Sequence, residues 1–272
     1  METLKTSAFV HEATVLDRRD VAEDVIVIGL NAPQLSRVTK PGQFLMAIPP
    51  GGQSAATALG IYEVDGDRVS ILFFVCGPRT RELAGLRLGE RLDCFGPLGN
   101  GFDHSGEQRD VAIVAGGVGI ASVLLSAQAL RRQGARVRLY YGARSAARLV
   151  EAQRFADEGC ELHLATDDGS AGHHGFVTEL LADAGDYPQA MIACGPTPML
   201  RAVARVAEQR NIPTQLSLEE TFACGVGGCW GCTVPLDSNS AQAPTFPPTA
   251  NGVVNARICK EGPVFWAHEL KW

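Results

Sequence analysis

The stretch "DVAIVAGGVGIASVLLSAQALRRQG", from Asp110 to Gly134, decides how this chain folds. Val111–Ala115 reads as a buried strand, Gly116 and Gly117 break it, and Ile120 onward reads as a helix whose last glycine sits where a C-cap belongs. A strand that turns into a helix through glycines is the unit of a parallel sheet. The pattern repeats downstream. VRLYYGARS (Val137–Ser145), CELHLATDD (Cys160–Asp168) and QAMIACGP (Gln189–Pro196) read as strands. AARLVEAQRFADEG (Ala146–Gly159), GFVTELLADAG (Gly175–Gly185) and TPMLRAVARVAEQRN (Thr197–Asn211) read as helices. Residues 105–215 are therefore expected to form an α/β domain with helices on both faces of a parallel sheet.

Working toward the amino terminus, residues 1–104 change character. FVHEATVLDR, DVIVIGL, FLMAIP, GIYEV, RVSILFFV and ERLDCFGPL are short apolar, β-branched runs separated by turn residues, with a hairpin signal at Val64–Asp67. They predict a small antiparallel barrel or sandwich. Toward the carboxyl terminus, regularity stops after Leu216, and residues 216–272 read as a small irregular module with a proline-rich surface loop at Ser238–Gly252. The expected class is multidomain α+β.

Composition narrows the function. The 272 residues carry a net charge of -6, which speaks against nucleic acid or an anionic membrane surface as partner. The run Val111–Leu125 is too short and too glycine-rich to cross a bilayer. METLKTSAFVHEATV lacks the basic and apolar blocks of a secretory leader, so a cytoplasmic, soluble protein is expected. Of eight cysteines, Cys76, Cys94, Cys160 and Cys194 are scattered in apolar surroundings and read as small hydrophobes. The other four need a different account.

Three of them lie in "CGVGGCWGC", Cys224–Cys232, and the fourth is Cys259 in "ARICKEGPVF". The C-x4-C-x2-C…C spacing is that of plant-type [2Fe–2S] ligands. Four thiolates must converge there with backbone N–H groups turned toward the sulfides, and Gly225, Gly227, Gly228 and Gly231 permit so tight a wrap. Structural zinc is the rival, but it generally uses two C-x2-C knuckles and only one is present.

In the α/β segment, Gly116, Gly117, Val118 and Gly119 follow a strand and open a helix, where backbone N–H groups can meet a pyrophosphate. Their spacing is not G-x-G-x-x-G, and a plain tight turn is the alternative. Cys194, Gly195 and Pro196 end a later strand at the same expected sheet edge, where open α/β folds bind ligands. Arg144 or Ser145 could meet a ribose or phosphate there, so NAD and NADP both stay open, or Arg144 is a solvated charge. Asp167 and Asp168 read as turn residues, and His173 and His174 as loop residues.

With these segments assembled, the chain resembles the electron-transfer subunit of NAD-dependent dihydroorotate dehydrogenase, within the ferredoxin-reductase superfamily. The resemblance runs over nearly the whole length. It rests on "PGQF", "GPLGNGF", "GGVGIA", "DDGSAGHHGFVTELL", "CGPTPML", "CGVGGCWGC" and "CKEGPVF", in that order. It implies an FAD-binding barrel, an NAD-binding domain, a [2Fe–2S] module, and a complex with an FMN-containing catalytic subunit, as a heterotetramer. The division makes chemical sense. Nicotinamide exchanges hydrides, the cluster exchanges single electrons, and only a cofactor stable in a half-reduced form, such as a flavin, couples the two.

One part departs from the pattern. The Arg-Pro-x-Ser stretch expected to hold FAD aligns with Thr57, Ala58, Leu59 and Gly60. The next contact strand, expected to end in Tyr-Arg, reads Leu72, Phe73, Phe74. The later Gly-x-Gly-Thr survives as Gly77, Pro78, Arg79, Thr80. Three readings follow: FAD held in a modified manner with Arg79 or Arg81 at the phosphate, a barrel without FAD, or another ligand. The function read here is electron transfer between NAD(H) and a flavoprotein partner. The alternatives are an NAD(P)H-linked subunit of another reductase or hydrogenase, and a flavin-less conducting or scaffold subunit.

Overall fold

The structure, a computed structural model, describes residues 9–50 and 55–272. Most of the leader region read above (residues 1–8) lies outside them. The first part is a closed six-stranded antiparallel barrel. Its strands are β1 (Phe9–Ala22), β2 (Val25–Asn31), β3 (Phe44–Ile48), β4 (Thr57–Asp65), β5 (Arg68–Phe74) and β6 (Arg91–Leu98), in the spatial order β1-β2-β5-β4-β3-β6. Closure leaves no free sheet edge. Short helices α1 (Pro33–Ser36) and α2 (Pro78–Ala84) fill the long connections. Alternate residues such as Ile28, Leu45, Ile61, Ile71 and Leu92 point inward and pack as the barrel core.

The second part is a seven-stranded sheet. β7 (Asp110–Gly116), β8 (Arg136–Ala143), β9 (Glu161–Thr166), β10 (His173–His174), β11 (Ala190–Cys194) and β12 (Thr214–Ser217) run parallel in the order β10-β9-β8-β7-β11-β12. Helices α3 (Leu124–Arg132), α4 (Ala152–Asp157), α5 (Val177–Ala182) and α6 (Thr197–Arg210) connect them. The chain winds from β7 toward β10 and then returns to β11 on the other side of β7. The carboxyl ends of β7 and β11 thus flank a topological switch point, where open sheets bind ligands.

The helix after β7 starts later than its sequence pattern suggests. Gly117–Ser122 forms a 3-10 turn and α3 begins only at Leu124. The cause is packing: a Cβ on Gly119 would lie 2.2 Å from the Cys194 carbonyl oxygen, so the turn is pressed against the end of β11.

The carboxyl-terminal residues are not self-contained. β13 (Thr233–Asp237) and β14 (Val253–Arg257) form a two-stranded ribbon, but β15 (Val264–Trp266) joins the large sheet, antiparallel to β12. Asn100, from the segment after the barrel, completes that edge. Its side chain donates to the Val264 carbonyl (2.7 Å) and accepts from the Val264 N–H (2.9 Å), while its own N–H donates to the Gly262 carbonyl (2.7 Å). Barrel, sheet and cysteine segment are therefore clamped at one junction.

Candidate cofactor sites

A cavity of about 280 Å³ opens at that junction, between the barrel and the sheet, near the lower end of ligand-pocket sizes. Thr57, Ala58, Leu59 and Gly60 of β4, Leu72, Phe73 and Phe74 of β5, Thr80 of α2, and Val118 of the glycine turn all lie along its wall. Leu59 and Phe73 belong to the barrel core and meet the cavity at its edge. The side chains of Phe44 and Phe222 close the wall, their ring centroids 5.0 Å apart.

The wall is mostly apolar, with few polar groups. The Thr57 hydroxyl oxygen is buried and has no hydrogen-bond partner. A buried hydroxyl without a partner is costly. Thr80, by contrast, is occupied locally: its oxygen accepts the Cys76 N–H (3.0 Å) and the Gly77 N–H (3.1 Å), capping α2. The Arg79 guanidinium stays out of the cavity and donates to the Ala56 carbonyl (3.4 Å), at the entrance to β4. Arg148 lies over the Phe74 ring, 5.8 Å from its centroid.

Several wall residues escape a reading of single motifs. Ser122, at the end of the glycine turn, faces Gly60, and a Cβ on Gly60 would stand 2.7 Å from the Ser122 hydroxyl. A side chain at position 60 and the hydroxyl of Ser122 cannot share that space. Ser217 ends β12 and Glu219 follows it, on the sheet side. Glu219 lines the cavity with its surface open to it, and the Cys194 thiol donates toward its carboxylate (3.5 Å). Removal from bulk water raises the Glu219 carboxyl above its ordinary range, with the Cys194 contact acting against the rise. The Cys194 thiol is also raised, first by burial and then by the Glu219 charge.

The two glycine turns meet at the switch point. Gly117 has φ +53°, and a Cβ there would touch nothing within 4 Å, so its requirement is conformational. Gly116 and Gly119 are held by contact instead: a Cβ on Gly116 would meet the Met199 sulfur at 2.7 Å. Gly195 packs its Cα face against the Gly116 backbone, and Pro196 opens α6. Beneath them the buried Tyr141 hydroxyl donates to the carbonyls of Gly117 (3.3 Å) and Arg148 (3.2 Å). Asp168 accepts the Ser170 hydroxyl (2.6 Å) and N–H (2.9 Å), as a turn residue does. His173 reaches Glu179 (3.0 Å) at the surface.

The cysteines come as two pairs. The Cys232 and Cys259 sulfurs lie 3.2 Å apart and both residues are buried. The Cys229 N–H donates to the Cys224 sulfur (3.4 Å), at the more exposed side of the loop. Among the described residues no three His, Cys, Asp or Glu side chains form a single-metal group. The C-x4-C-x2-C…C spacing, with one C-x2-C knuckle rather than two, is what favours two irons over zinc. Backbone geometry supports that fit. Burial resists ionisation of Cys224, but N–H groups of Cys229, Val226 and Gly228 aimed at its sulfur bring the thiol down to about 6. Gly225 (φ +68°) and Gly227 (φ +78°) make the wrap. A Cβ on Gly225 would stand 2.7 Å from Met46 of β3, so the loop is seated directly on the barrel.

Cavity and cysteine loop are contiguous. Leu218–Phe222 leaves β12 along the cavity wall, and Cys224 follows two residues after Phe222.

Comparison with known proteins agrees with this arrangement. The family model of the iron–sulfur cluster binding domain of dihydroorotate dehydrogenase B matches residues 219–271. The "dihydroorotate dehydrogenase B (NAD(+)), electron transfer subunit" of Caldanaerobacter subterraneus is 33% identical, over 95% of this chain and 97% of its own. That of Clostridium acetobutylicum is 35% identical over 85% and 86%. Among solved structures, an NADH-dependent reduced ferredoxin-NADP oxidoreductase, studied for flavin-based electron bifurcation, superposes with a TM-score of 0.81. It is 26% identical and covers 96% of this chain and 90% of its own.

Proposed function

The chain belongs to the family of dihydroorotate dehydrogenase B electron transfer subunits, and from that premise we propose how its own residues carry electrons between a nicotinamide and a partner flavoprotein. It is an electron-transfer subunit that works with NAD(H), FAD and a [2Fe–2S] cluster, and its partner is a dihydroorotate dehydrogenase-type catalytic subunit. When bound, the flavin supplies the step between hydride exchange and single-electron exchange.

The residues divide the work by location. The barrel side of the cavity, with Thr57, Gly60 and Phe74, receives the flavin ring, and Ser122 offers its hydroxyl from the opposite wall. Arg79, bonded to the Ala56 carbonyl at the entrance to β4, is the candidate for a phosphate contact. The adjoining turns at Gly116–Gly119 and Cys194–Pro196 receive the dinucleotide, through N–H groups and the open Cα face of Gly117. Cys224, Cys229, Cys232 and Cys259 hold the cluster. The observation that carries the reading is the shared Leu218–Phe222 segment, which puts the cavity and the cysteine loop on one short stretch of backbone.

On this reading the isolated chain is an oxidoreductase in its own right, able to pass electrons from NADH to an artificial acceptor, and it works in the cytoplasm, where thiols stay reduced. The test is flavin, iron and sulfide content of anaerobically purified chain, followed by its rate of acceptor reduction by NADH. One flavin per cluster, with rates that follow bound flavin, is the expected result. A full cluster with no flavin, even after added FAD, overturns it.

A further inference from the structure

Arg257 ends β14, two residues before Cys259, and its side chain is 11% exposed. It makes three kinds of contact. Glu261 grips it through a paired ion contact, with Nε 3.0 Å from one carboxylate oxygen and Nη2 2.5 Å from the other. The same carboxylate accepts the Arg257 backbone N–H (2.7 Å), so side chain and backbone are aligned together. The free Nη1 donates to the Gly227 carbonyl in the cysteine loop (2.8 Å). The guanidinium plane lies over the Trp230 ring, 4.3 Å from its centroid.

Each contact reaches a part of the loop that needs holding. Trp230 lies between Cys229 and Cys232 with φ +59°, a left-handed conformation that is strained for a large side chain. The cation over its face and the edge of Phe246, 5.0 Å away, keep it there. The Gly227 carbonyl belongs to the Gly227–Gly228 peptide, and the next N–H in the loop, that of Cys229, donates to the Cys224 sulfur (3.4 Å). A peptide is planar, so a donor that holds the carbonyl outward holds the N–H inward.

We propose that Arg257 is a positioning residue of the iron–sulfur site: it orients the Gly227–Gly228 peptide and Trp230 so that backbone N–H groups face the cysteine sulfurs, and thereby raises the reduction potential of the cluster. The inference rests on the cluster reading above. N–H groups aimed at the sulfurs favour the more negative reduced state, in keeping with control of such potentials by hydrogen bonds, and the Arg257 charge, balanced by Glu261, acts by holding them there.

The test is a redox titration of the anaerobically purified chain followed by electron paramagnetic resonance, with iron and sulfide measured in the same samples. Arg257→Gln is expected to keep its iron and to shift the midpoint to a more negative value with an altered signal. Arg257→Lys keeps the charge but not the three-way grip, and should fall between. Glu261→Gln separates positioning from bare charge. Loss of a nearby negative charge would by itself raise the potential, whereas a loosened Arg257 lowers it, and the lower value is expected. An iron-replete Arg257→Gln with unchanged midpoint and signal, or a raised midpoint in Glu261→Gln, overturns the proposal. If Arg257→Gln does not hold iron, Glu261→Gln decides. Absence of iron from the unaltered chain would instead refute the cluster reading itself.

Discussion

The cysteine loop and the cavity beside it lie on one stretch of backbone, yet they are built in opposite ways. In the loop the reading rests on identity: four thiols at the spacing of a two-iron site are the proposed ligands. In the cavity, the expected side chains are largely gone from β4 and β5, yet the space persists, lined by other groups. A coordinate bond needs a donor of suitable type at a fixed place on the chain. A hydrogen bond or an ion contact can be supplied from any element that reaches the same point. In the cavity a hydroxyl comes from Ser122 on the opposite wall, while Arg79 and Arg148 lie outside the lining, near β4 and β5.

Substitutions can break or sharpen this contrast. The largest effect is expected at the loop. Cys229→Ala should lose nearly all iron and acid-labile sulfide, measured chemically and by the visible spectrum, with the fold retained by circular dichroism. Retention of both would remove Cys229 from the ligand set. Next comes Gly119→Ala, where a Cβ would run into the Cys194 carbonyl oxygen at 2.2 Å. Overpacking of this kind costs about 1–3 kcal/mol, read as a lowered unfolding midpoint together with weaker NADH binding. An unaffected variant would mean that the two turns do not press together.

The cavity should show exchange rather than loss. Gly60→Ser restores the serine that the family resemblance expects but collides with Ser122, so flavin affinity should fall about tenfold, the equivalent of one ordinary hydrogen bond. Adding Ser122→Gly should recover most of it. Fluorescence titration with FAD would read both, and tighter binding by the single variant would defeat the idea of a relocated hydroxyl.

Glu219 offers a smaller, pH-dependent test. Its carboxyl is raised by removal from water, so the folded chain keeps a proton that the unfolded chain has already released. Stability contributed by the protonated form is therefore present at acidic pH and declines as pH rises through the interval above the ordinary carboxylate value. Glu219→Gln should flatten that decline in thermal unfolding measured over a pH series. A slope equal to that of the unaltered chain would assign the effect elsewhere. Smallest is Tyr62→Phe, which removes a 2.9 Å bond from the barrel to Glu151, a residue with φ +57° at the start of α4. About 1 kcal/mol of stability should be lost, with cofactor content unchanged.

Much of the architecture was legible beforehand because it depends on period and punctuation. The strand–glycine–helix units after Asp110 and the short apolar runs before it lie where the pattern puts them. The exceptions have packing causes. Gly117–Ser122 forms a 3-10 turn because Gly119 is wedged against β11. The proline-rich loop is irregular as read, but it is not free of the site: Phe246 abuts Trp230, and the Gln242 amide donates to the carbonyls of Glu261 (2.9 Å) and Val264 (2.8 Å). Nothing in the local pattern of that loop announces those contacts.

What the sequence by itself determined is the set of local choices: an antiparallel run, alternating strands and helices, two glycine turns, and four thiols with the spacing of a two-iron site. Each follows from neighbours a few residues apart, or from a ligand chemistry that admits only one side chain. What only the tertiary structure decided is which distant residues share a space. It sets Ser122 against Gly60, Arg79 against Ala56, Asn100 against Val264 and Arg257 against Gly227. The physical reason is that these contacts depend on how the barrel, sheet and cysteine loop are clamped together, and chain separation carries no record of that geometry.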